Sequence, residues 1–508
     1  MTLLAELVAA SDAVAATSKR TEKVAALASL LQGLAPDEVE VAVGMLTGAP
    51  RQRRTGVAWR TVQSTTAPPA AGPSLTIVGV DAALTALEAC AGAGSQGERN
   101  RLLTELLAAA TEAEQWFLRR LLVGELRQGA LAGVMNDAVA KASGAPVAAV
   151  RRAAMLSGDL AHTAGVALVE GGAGLDAVHL EVLRPLLPML AASSPDVGTA
   201  PVDAGAGEPV AVQWTLDGAR IQVHRRGDEV GIWTRNLNEI TERLPGIVAG
   251  VRALPATAFV LDGEAMGWGD DERPGVFQET MSSFGSDGAS LGARFFDVLH
   301  VDGRDLVDEP LSVRHAALDA LVGPHAIPRL VTSSAEEATA FAEDALARGH
   351  EGVMVKSLSS PYEAGRRGSA WRKVKPVRTL DLVVLAVEWG SGRRRGWLSN
   401  LWLGARGDDG YVMVGKTFKG MTDALLEWQT KELLAREVSH DGHVVHVRPE
   451  LVVEIALDGV QRSTRYAGGV ALRFARVKRY RDDKDPSDAD TIDAVRALLV
   501  PTGRTSGG

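Results

Sequence analysis

The chain has 508 residues, 46% of them apolar, a formal net charge of -9 and a single cysteine, Cys90. Length and apolar content suffice for roughly three domains with cores of their own, and one cysteine excludes a disulfide framework or a cysteine-rich zinc site and fits a reducing cytoplasm. The negative charge excludes a simple polycation that coats nucleic acid, but not an enzyme with a local basic surface.

The first segment, MTLLAELVAASDAVAATSKR, is amphipathic and carries acidic residues, with no basic leader ahead of an apolar run. No uncharged stretch reaches the length of a membrane span, so no membrane partner is expected. Residues 1–192 read as all-helical, with apolar residues at three- and four-residue spacing, as in 24–31 and 98–122. RQRRTGVAWR, holding Arg51, Arg53 and Arg54, lies on a connection between helices. It is either a solvated charged loop or a set of phosphate contacts. LLVGELRQGALAGVMNDAVAKA, holding Arg127, is interrupted by Gly124, Gly129 and Gly133, which would let its backbone approach a partner closely. LRPLLPMLA closes the region, and the Pro- and Gly-rich stretch 193–208 reads as a linker.

PVAVQWTLDGARIQVHRR, residues 209–226, reads as two short strands joined by a tight turn. Asp217-Gly218 is a hairpin signal, the glycine supplying the positive φ such a turn uses. VGIWTRN then puts Arg235 at a strand end, and AFVLDGEAMGW ends an apolar strand in Asp262-Gly-Glu264. ARFFDVLHVDG carries Phe296 and Asp297, EGVMVK carries Glu351 and Lys356, and RRGSAWRKVK carries Arg367, Lys373 and Lys375. From 379 onward the chain is strand-rich (LDLVVLAVEWG, LWLGARG, GYVMVGKTF, LVVEIALDGV, ALRFARVKRY), with a helix at about 423–436, which suits a small five-stranded barrel of the OB type. RFARVKRYRDDK adds Arg473, Arg476 and Arg479, a charge-based clamp for phosphates. SGRRRGW is a further basic loop or a solvated turn.

Two motifs are set aside. GYVMVGKT fits the P-loop pattern by letter, but its intervening residues are bulky and strand-like and no helix follows. His440, His443 and His446 are spaced like metal ligands, but Asp441-Gly442 between them favours a solvated hairpin.

In this order, the stretches from 209 to 375 resemble the successive nucleotide-binding motifs of ATP-dependent DNA ligases. Asp217, Gly218 and Arg220 match the signature K-x-D-G-x-R, and RFARVKRYRDDK resembles the last motif, R-F-P-R-x-x-R-x-R-x-D-K, with Ala475 where proline is usual. GELRQGALAGVMNDAVA is similar to the minor-groove-binding helical domain of the larger members. The resemblance implies a multidomain α+β fold: an all-helical DNA-binding domain at 1–192, the linker at 193–208, an α+β nucleotidyltransferase core of ATP-grasp-like type at 209–378, and an OB-type β-barrel at 379–508. It implies ATP as AMP donor, Mg²⁺ as metal, nicked duplex DNA as partner, and a cytoplasmic, nucleoid-associated monomer.

The implied roles suit nucleotidyl transfer, which uses carboxylates to hold Mg²⁺, cations to neutralise phosphates and an aromatic ring to stack the base. Glu264 and Glu351 are the metal candidates, with Asp217 nearby. Gln213, Arg220, Arg235, Glu264, Phe296, Arg367 and Lys373 surround the nucleotide, and Lys356 and Lys375 complete the catalytic set. Arg51, Arg53, Arg54, Arg127, Arg473, Arg476 and Arg479 are the DNA candidates.

The chain departs from the family pattern twice. Thr215 stands where the lysine that becomes adenylylated is expected, and Gln213 where a glutamate usually lies beside the adenine. A threonine hydroxyl falls short of the lysine amine and is a far weaker nucleophile, and near-attack geometry tolerates errors of only about 1 Å. Two readings follow. One is a ligase impaired in self-adenylylation that still seals a nick already carrying AMP; the other is a non-catalytic nick or end binder on a ligase scaffold. Retention of Glu264, Glu351 and Lys356 together favours the first. An RNA ligase or capping enzyme shares the core, but the long helical N-terminal region argues against both.

Overall fold

The computed structural model describes residues 1–52, 55–92, 94–126, 132–194, 196–205, 207–267, 291–363, 367–375 and 378–499. Up to residue 176 the described residues fold as helices, from Leu4–Ala16 to Gly171–Asp176, as the apolar spacing predicts. Thr111 opens Glu112–Leu122 with a capping box closed by Glu114. Asp159 caps Leu160–Val169 through the amides of Ala161 and His162. Side chains thus satisfy donors that each first turn leaves free. One apolar core runs through the region, where Leu4, Leu7, Leu27, Leu31, Phe117 and Leu118 are buried, each contributing about 1.5–3 kcal/mol. No helix among the described residues is long and apolar enough to cross a membrane.

The middle of the chain builds two sheets. Their strands are β1 (Leu190–Ser194), β2 (Val210–Thr215), β3 (Ala219–Arg226), β4 (Glu229–Thr234), β5 (Ala258–Gly267), β6 (Leu291–Val301), β7 (Arg304–Asp305), β8 (Arg329–Thr332), β9 (Gly352–Ser357) and β10 (Arg367–Val374). One sheet has the order β1-β10-β9-β2-β8 and the other β4-β3-β5-β6-β7.

The expected hairpin is absent from these sheets. β2 and β3 are strands, but β2 pairs with β8 and β9 while β3 pairs with β4 and β5. The Asp217-Gly218 turn carries the chain from one sheet to the other. Its glycine is required for closeness rather than for a positive φ: a Cβ on Gly218 would lie 2.6 Å from the Ala265 carbonyl oxygen and 2.7 Å from Glu264 Cγ, and Gly218 is not among the residues with positive φ.

The stretch expected as a linker is built into the same unit. β1 pairs in parallel with β10, and Ala200–Gly205 is a helix whose Ala200 packs with Val210 and Val212. Small residues there allow close approach: a Cβ on Gly205 would lie 2.7 Å from Val210 Cγ1.

The C-terminal sheet domain is organised on one long strand, β11 (Arg378–Trp389). It pairs with β12 (Leu398–Gly407) on one edge; on the other it pairs with β15 (Val444–Val447) and then β16 (Val452–Leu457). β13 (Gly410–Thr417) extends the β12 side, so the P-loop-like letters form a single strand. β14 (Glu437–Asp441) and β15 form the histidine-bearing hairpin. The stretch 471–480, read as one strand, is two: β17 (Gly459–Arg462) pairs with β18 (Val470–Arg473), and β19 (Arg476–Tyr480) pairs with β16. The break falls at Phe474, whose φ is 54°. Seven strands share the main sheet instead of the five expected. Helix Asp423–Leu434, capped by Thr422, lies where the sequence placed one.

Candidate active site

The sheet change at Asp217-Gly218 leaves a cleft of about 290 Å³ between the two sheets. β2 and β9 supply Gln213, Thr215, Met354 and Lys356 from one side, and β3, β5 and β6 supply Arg220, Glu264 and Phe296 from the other; Arg235, Ile327, Trp371 and Lys373 also line it, with Trp214 and β1 residues. The register explains the grouping. Thr215 pairs with Gly352 and Gln213 with Met354, and Arg220 pairs with Glu264, so alternate side chains of each strand face the cleft.

Charge collects at the Thr215 end. The amide of Glu351 donates to the Thr215 carbonyl at 3.1 Å, and its carboxylate is held by Lys375 and, at 3.4 Å, by Lys373. Burial pushes Glu264 up to about 7, against the pull of Lys373 and Arg220 and with the Glu351 charge adding to the rise. Burial likewise lowers Lys373. Thr215 is buried and its Oγ1 has no hydrogen-bond partner.

The lining also has an apolar part, formed by Ile327, Met354, Phe296 and Trp371. Phe296 meets Trp371 edge to face, with centroids 6.1 Å apart. Lys356 reaches into this wall, its Nζ 4.0 Å from the Trp371 centroid and 4.6 Å from that of Phe296, donating to the Phe296 carbonyl at 3.4 Å. Burial pulls this lysine down to about 7, against Asp297 and Asp262. Gln213 also sits here, 1% exposed, with Nε2 3.4 Å from His315 Nε2.

Arg220, expected on phosphates, is committed elsewhere. Its guanidinium grips Asp262 at 2.6 and 3.0 Å and donates to the Met189 carbonyl at 2.8 Å. Tyr362 donates to Asp262 at 2.7 Å and accepts from the Met189 amide. Arg220 therefore forms the floor of the cleft, 5.3 Å from the Phe296 centroid. Asp217 faces the C-terminal domain, where Arg473 binds it at 2.7 and 3.2 Å. Arg476 pairs with Asp458, Arg479 with Glu454 and Arg51 with Asp81, so these three cations are matched within the protein. Arg53, Arg54 and Arg127, and the side chain of Arg367, lie outside the described residues. Asp262 stands out in the sequence only as a strand end, and His315, Met354, Tyr362 and Trp371 do not stand out there. Strand alternation could have found Met354 and Trp371, which share a face with Lys356 and Lys373; nothing local marks His315 or Tyr362.

The oxygen set suits a hard divalent cation. Glu264 has no hydrogen-bond or ion-pair partner among the described residues, and its buried carboxylate lines the cleft. Among the described residues no group of three or more His, Cys, Asp or Glu is placed to hold a metal. An ion such as Mg²⁺ takes one or two carboxylates from a protein, with phosphates and water supplying the rest.

Three family models match the chain: "ATP dependent DNA ligase domain" over residues 188–375, "ATP dependent DNA ligase C terminal region" over 394–484 and "DNA ligase N terminus" over 55–140. A probable DNA ligase of Pseudarthrobacter chlorophenolicus is 56% identical over 98% of this chain and 100% of its own length. One from Saccharopolyspora erythraea is 55% identical over 100% of both. A solved structure named Pmar-Lig_PreS3, 17% identical, covers 94% of this chain and 99% of its own with a TM-score of 0.63, a similarity of fold.

Proposed function

This chain belongs to the ATP-dependent DNA ligase family, and from that premise we propose that it acts on nicked duplex DNA at the transfer and sealing stages, with self-adenylylation blocked at Thr215. One observation carries the reading: residues from strands of both sheets converge on a single cleft in which the position expected to hold the nucleophile is a buried threonine with an unpartnered hydroxyl. In self-adenylylation an amine forms a P–N bond to the α-phosphorus of ATP while the bond to pyrophosphate breaks. Thr215 Oγ1 has no base hydrogen-bonded to it that would take its proton.

The later steps use groups that this chain retains. In sealing, a 3′-hydroxyl attacks the 5′-phosphorus of a DNA-adenylate, and AMP leaves with the electron pair of the broken anhydride. Lys373 and Lys375 lie beside Glu351, where they can neutralise phosphate oxygens. Glu264, aided by Glu351, would hold Mg²⁺, which supplies charge stabilisation at the phosphorus. Phe296 and Trp371 offer an apolar wall for the base, and Lys356 places an amine against that wall.

The test compares the protein with Thr215→Lys. Each is incubated with Mg²⁺ and α-labelled ATP, denatured and examined for bound label, then offered nicks that already carry AMP. Label on the lysine variant only, with sealing of pre-adenylylated nicks by both, supports the reading. Label on the unaltered chain overturns the block at Thr215. Binding of nicks without sealing by either protein would instead favour a non-catalytic nick binder.

A further inference from the structure

We propose that Gln222 and His224 are positioning residues: this buried pair on β3 clasps the segment through which the chain passes from the helical region into the core, and so sets the angle at which that region meets a nick. The inference rests on the reading of the helical region as part of the grip on nicked DNA.

The clasp is made of side chains that hold a backbone. Residues 183–189 belong to no strand or helix, so their buried polar groups need partners from elsewhere. Gln222 meets Leu186 as a peptide group would: its Oε1 accepts from the Leu186 amide at 2.8 Å and its Nε2 donates to the Leu186 carbonyl at 3.2 Å. His224 Nδ1 accepts from the Leu183 amide at 2.9 Å, and its Nε2 lies 2.9 Å from Gln222 Oε1. A ring nitrogen that accepts carries no proton, so Nε2 bears it and donates to Gln222. The two side chains are 4% and 0% exposed. Burial, with the charge of His300 adding to it, brings His224 down to about 3, and the ring stays neutral.

The held segment is in an unfavourable shape. Leu183 has a φ of 78°, a left-handed conformation that a leucine keeps only where its surroundings enforce it. Its amide is the one that His224 binds.

What the clasp holds is packed on the helical region. The Leu187 amide donates at 3.0 Å to the carbonyl of Met155, in helix Val147–Ser157. A Cβ on Gly158, just past that helix, would collide with the Pro185 carbonyl oxygen. Leu186 is buried in one apolar cluster with Met155 and Leu156. Close packing of this kind transmits displacement, so a shift of 183–187 moves the helix with it. Farther on, the segment has a second and separate fastening. Tyr362 accepts from the Met189 amide at 3.0 Å, Arg220 donates to the Met189 carbonyl at 2.8 Å, and β1 pairs with β10. Loosening the first fastening therefore leaves the floor of the cleft in place, and nick binding separates from nucleotide binding.

The test measures two affinities of the full chain: for nicked duplex DNA by fluorescence anisotropy, and for ATP with Mg²⁺ by calorimetry. Gln222→Met keeps the volume and loses both bonds to Leu186. His224→Phe keeps a ring and leaves the Leu183 amide without its acceptor. Each should weaken nick binding about 10-fold, the scale of a buried hydrogen bond left unmade, and hold nucleotide affinity within about 2-fold of the parent. His224→Asn can place an acceptor where Nδ1 lay, and it should return nick affinity to within about 3-fold of the parent. Such a rescue would not follow if the position needed only a bulky ring. Unchanged nick affinity in both Gln222→Met and His224→Phe overturns the proposal. So does an equal loss of nick and nucleotide binding, which would make the pair a support of the whole core, and so does a His224→Asn protein no better than His224→Phe. Failure of the unaltered chain to bind nicks overturns the reading of the helical region itself, and this inference with it.

Discussion

Arg473 of the C-terminal sheet domain binds Asp217 of the sheet-changing turn through two charge-assisted hydrogen bonds, 2.7 and 3.2 Å long. Neither side chain is far from water, with 18% and 23% of their surfaces exposed. The pair therefore joins two domains at the turn that follows Thr215, where Arg473 also feels the Glu351 charge, and a phosphate arriving there competes for the same guanidinium. A pair of this exposure contributes about 1 kcal/mol or less by itself, so it can serve as a latch that ligand phosphates release. Arg473→Ala is expected to enlarge the radius of gyration of the free protein in small-angle scattering. Added salt should enlarge the parent in the same direction and leave the variant nearly unchanged. Equal radii for both proteins at low salt would show that the domains are held by other contacts.

Gly218 tests why the turn changes sheets. Alanine there would place a Cβ 2.6 Å from the Ala265 carbonyl oxygen and 2.7 Å from Glu264 Cγ. Backbone cannot yield as a flexible side chain does, so β5 must shift, at about 1–3 kcal/mol. The displaced residue is Glu264, so loss of Mg²⁺-dependent nucleotide binding should accompany the lower melting temperature. A hairpin turn needing only a positive φ would lose stability without touching the metal.

That distinction shows where the sequence was legible. Strand positions and charged ends could be read locally, because alternation and turn residues are local signals. Which strand pairs with which could not: β2 finds its partners in β8 and β9, far downstream, and an Asp-Gly turn looks the same whether it closes a hairpin or crosses between sheets. Residues 193–208 misled for a related reason, since small side chains serve close packing as well as flexibility. At the site, residue types were legible and their commitments were not. Arg220 reads as a phosphate ligand until Asp262, a diagonal neighbour on β5, is seen to occupy it.

Asp297 and Arg314 form an ion pair with both side chains fully buried, Nε donating at 2.8 Å and Nη2 at 3.1 Å. Burial alone would raise Asp297, but the Arg314 charge and hydrogen bonds hold it below the usual carboxylate range. Asp297→Ala leaves a buried guanidinium without its anion, and a loss of about 3–5 kcal/mol is expected in denaturant unfolding. Asp297 also draws Lys356 toward its charged form, so the same variant should lower the lysine further. Loss of stability below 1 kcal/mol would mean that water reaches Arg314.

Lys356 gives the clearest dependence on pH. Burial brings its folded value from 10.5 to about 7. Between those two values the unfolded chain binds more protons than the folded one, so stability rises with pH across that window, and the penalty for burying the ammonium is complete below pH 7. Lys356→Met removes the titrating group and keeps the packing on Phe296 and Trp371. It should stabilise the free protein at pH 6, on the order of a few kcal/mol, with the advantage shrinking toward pH 10. The negative charges of a bound nucleotide raise the potential for a proton throughout the cleft and favour the charged amine, so binding should take up a proton near pH 8. Calorimetry in buffers of different ionisation enthalpy would show that uptake in the parent and not in Lys356→Met. If the methionine variant is less stable at pH 6, the ammonium is being stabilised by Asp297 and Asp262 more than burial opposes it, and the amine is charged throughout.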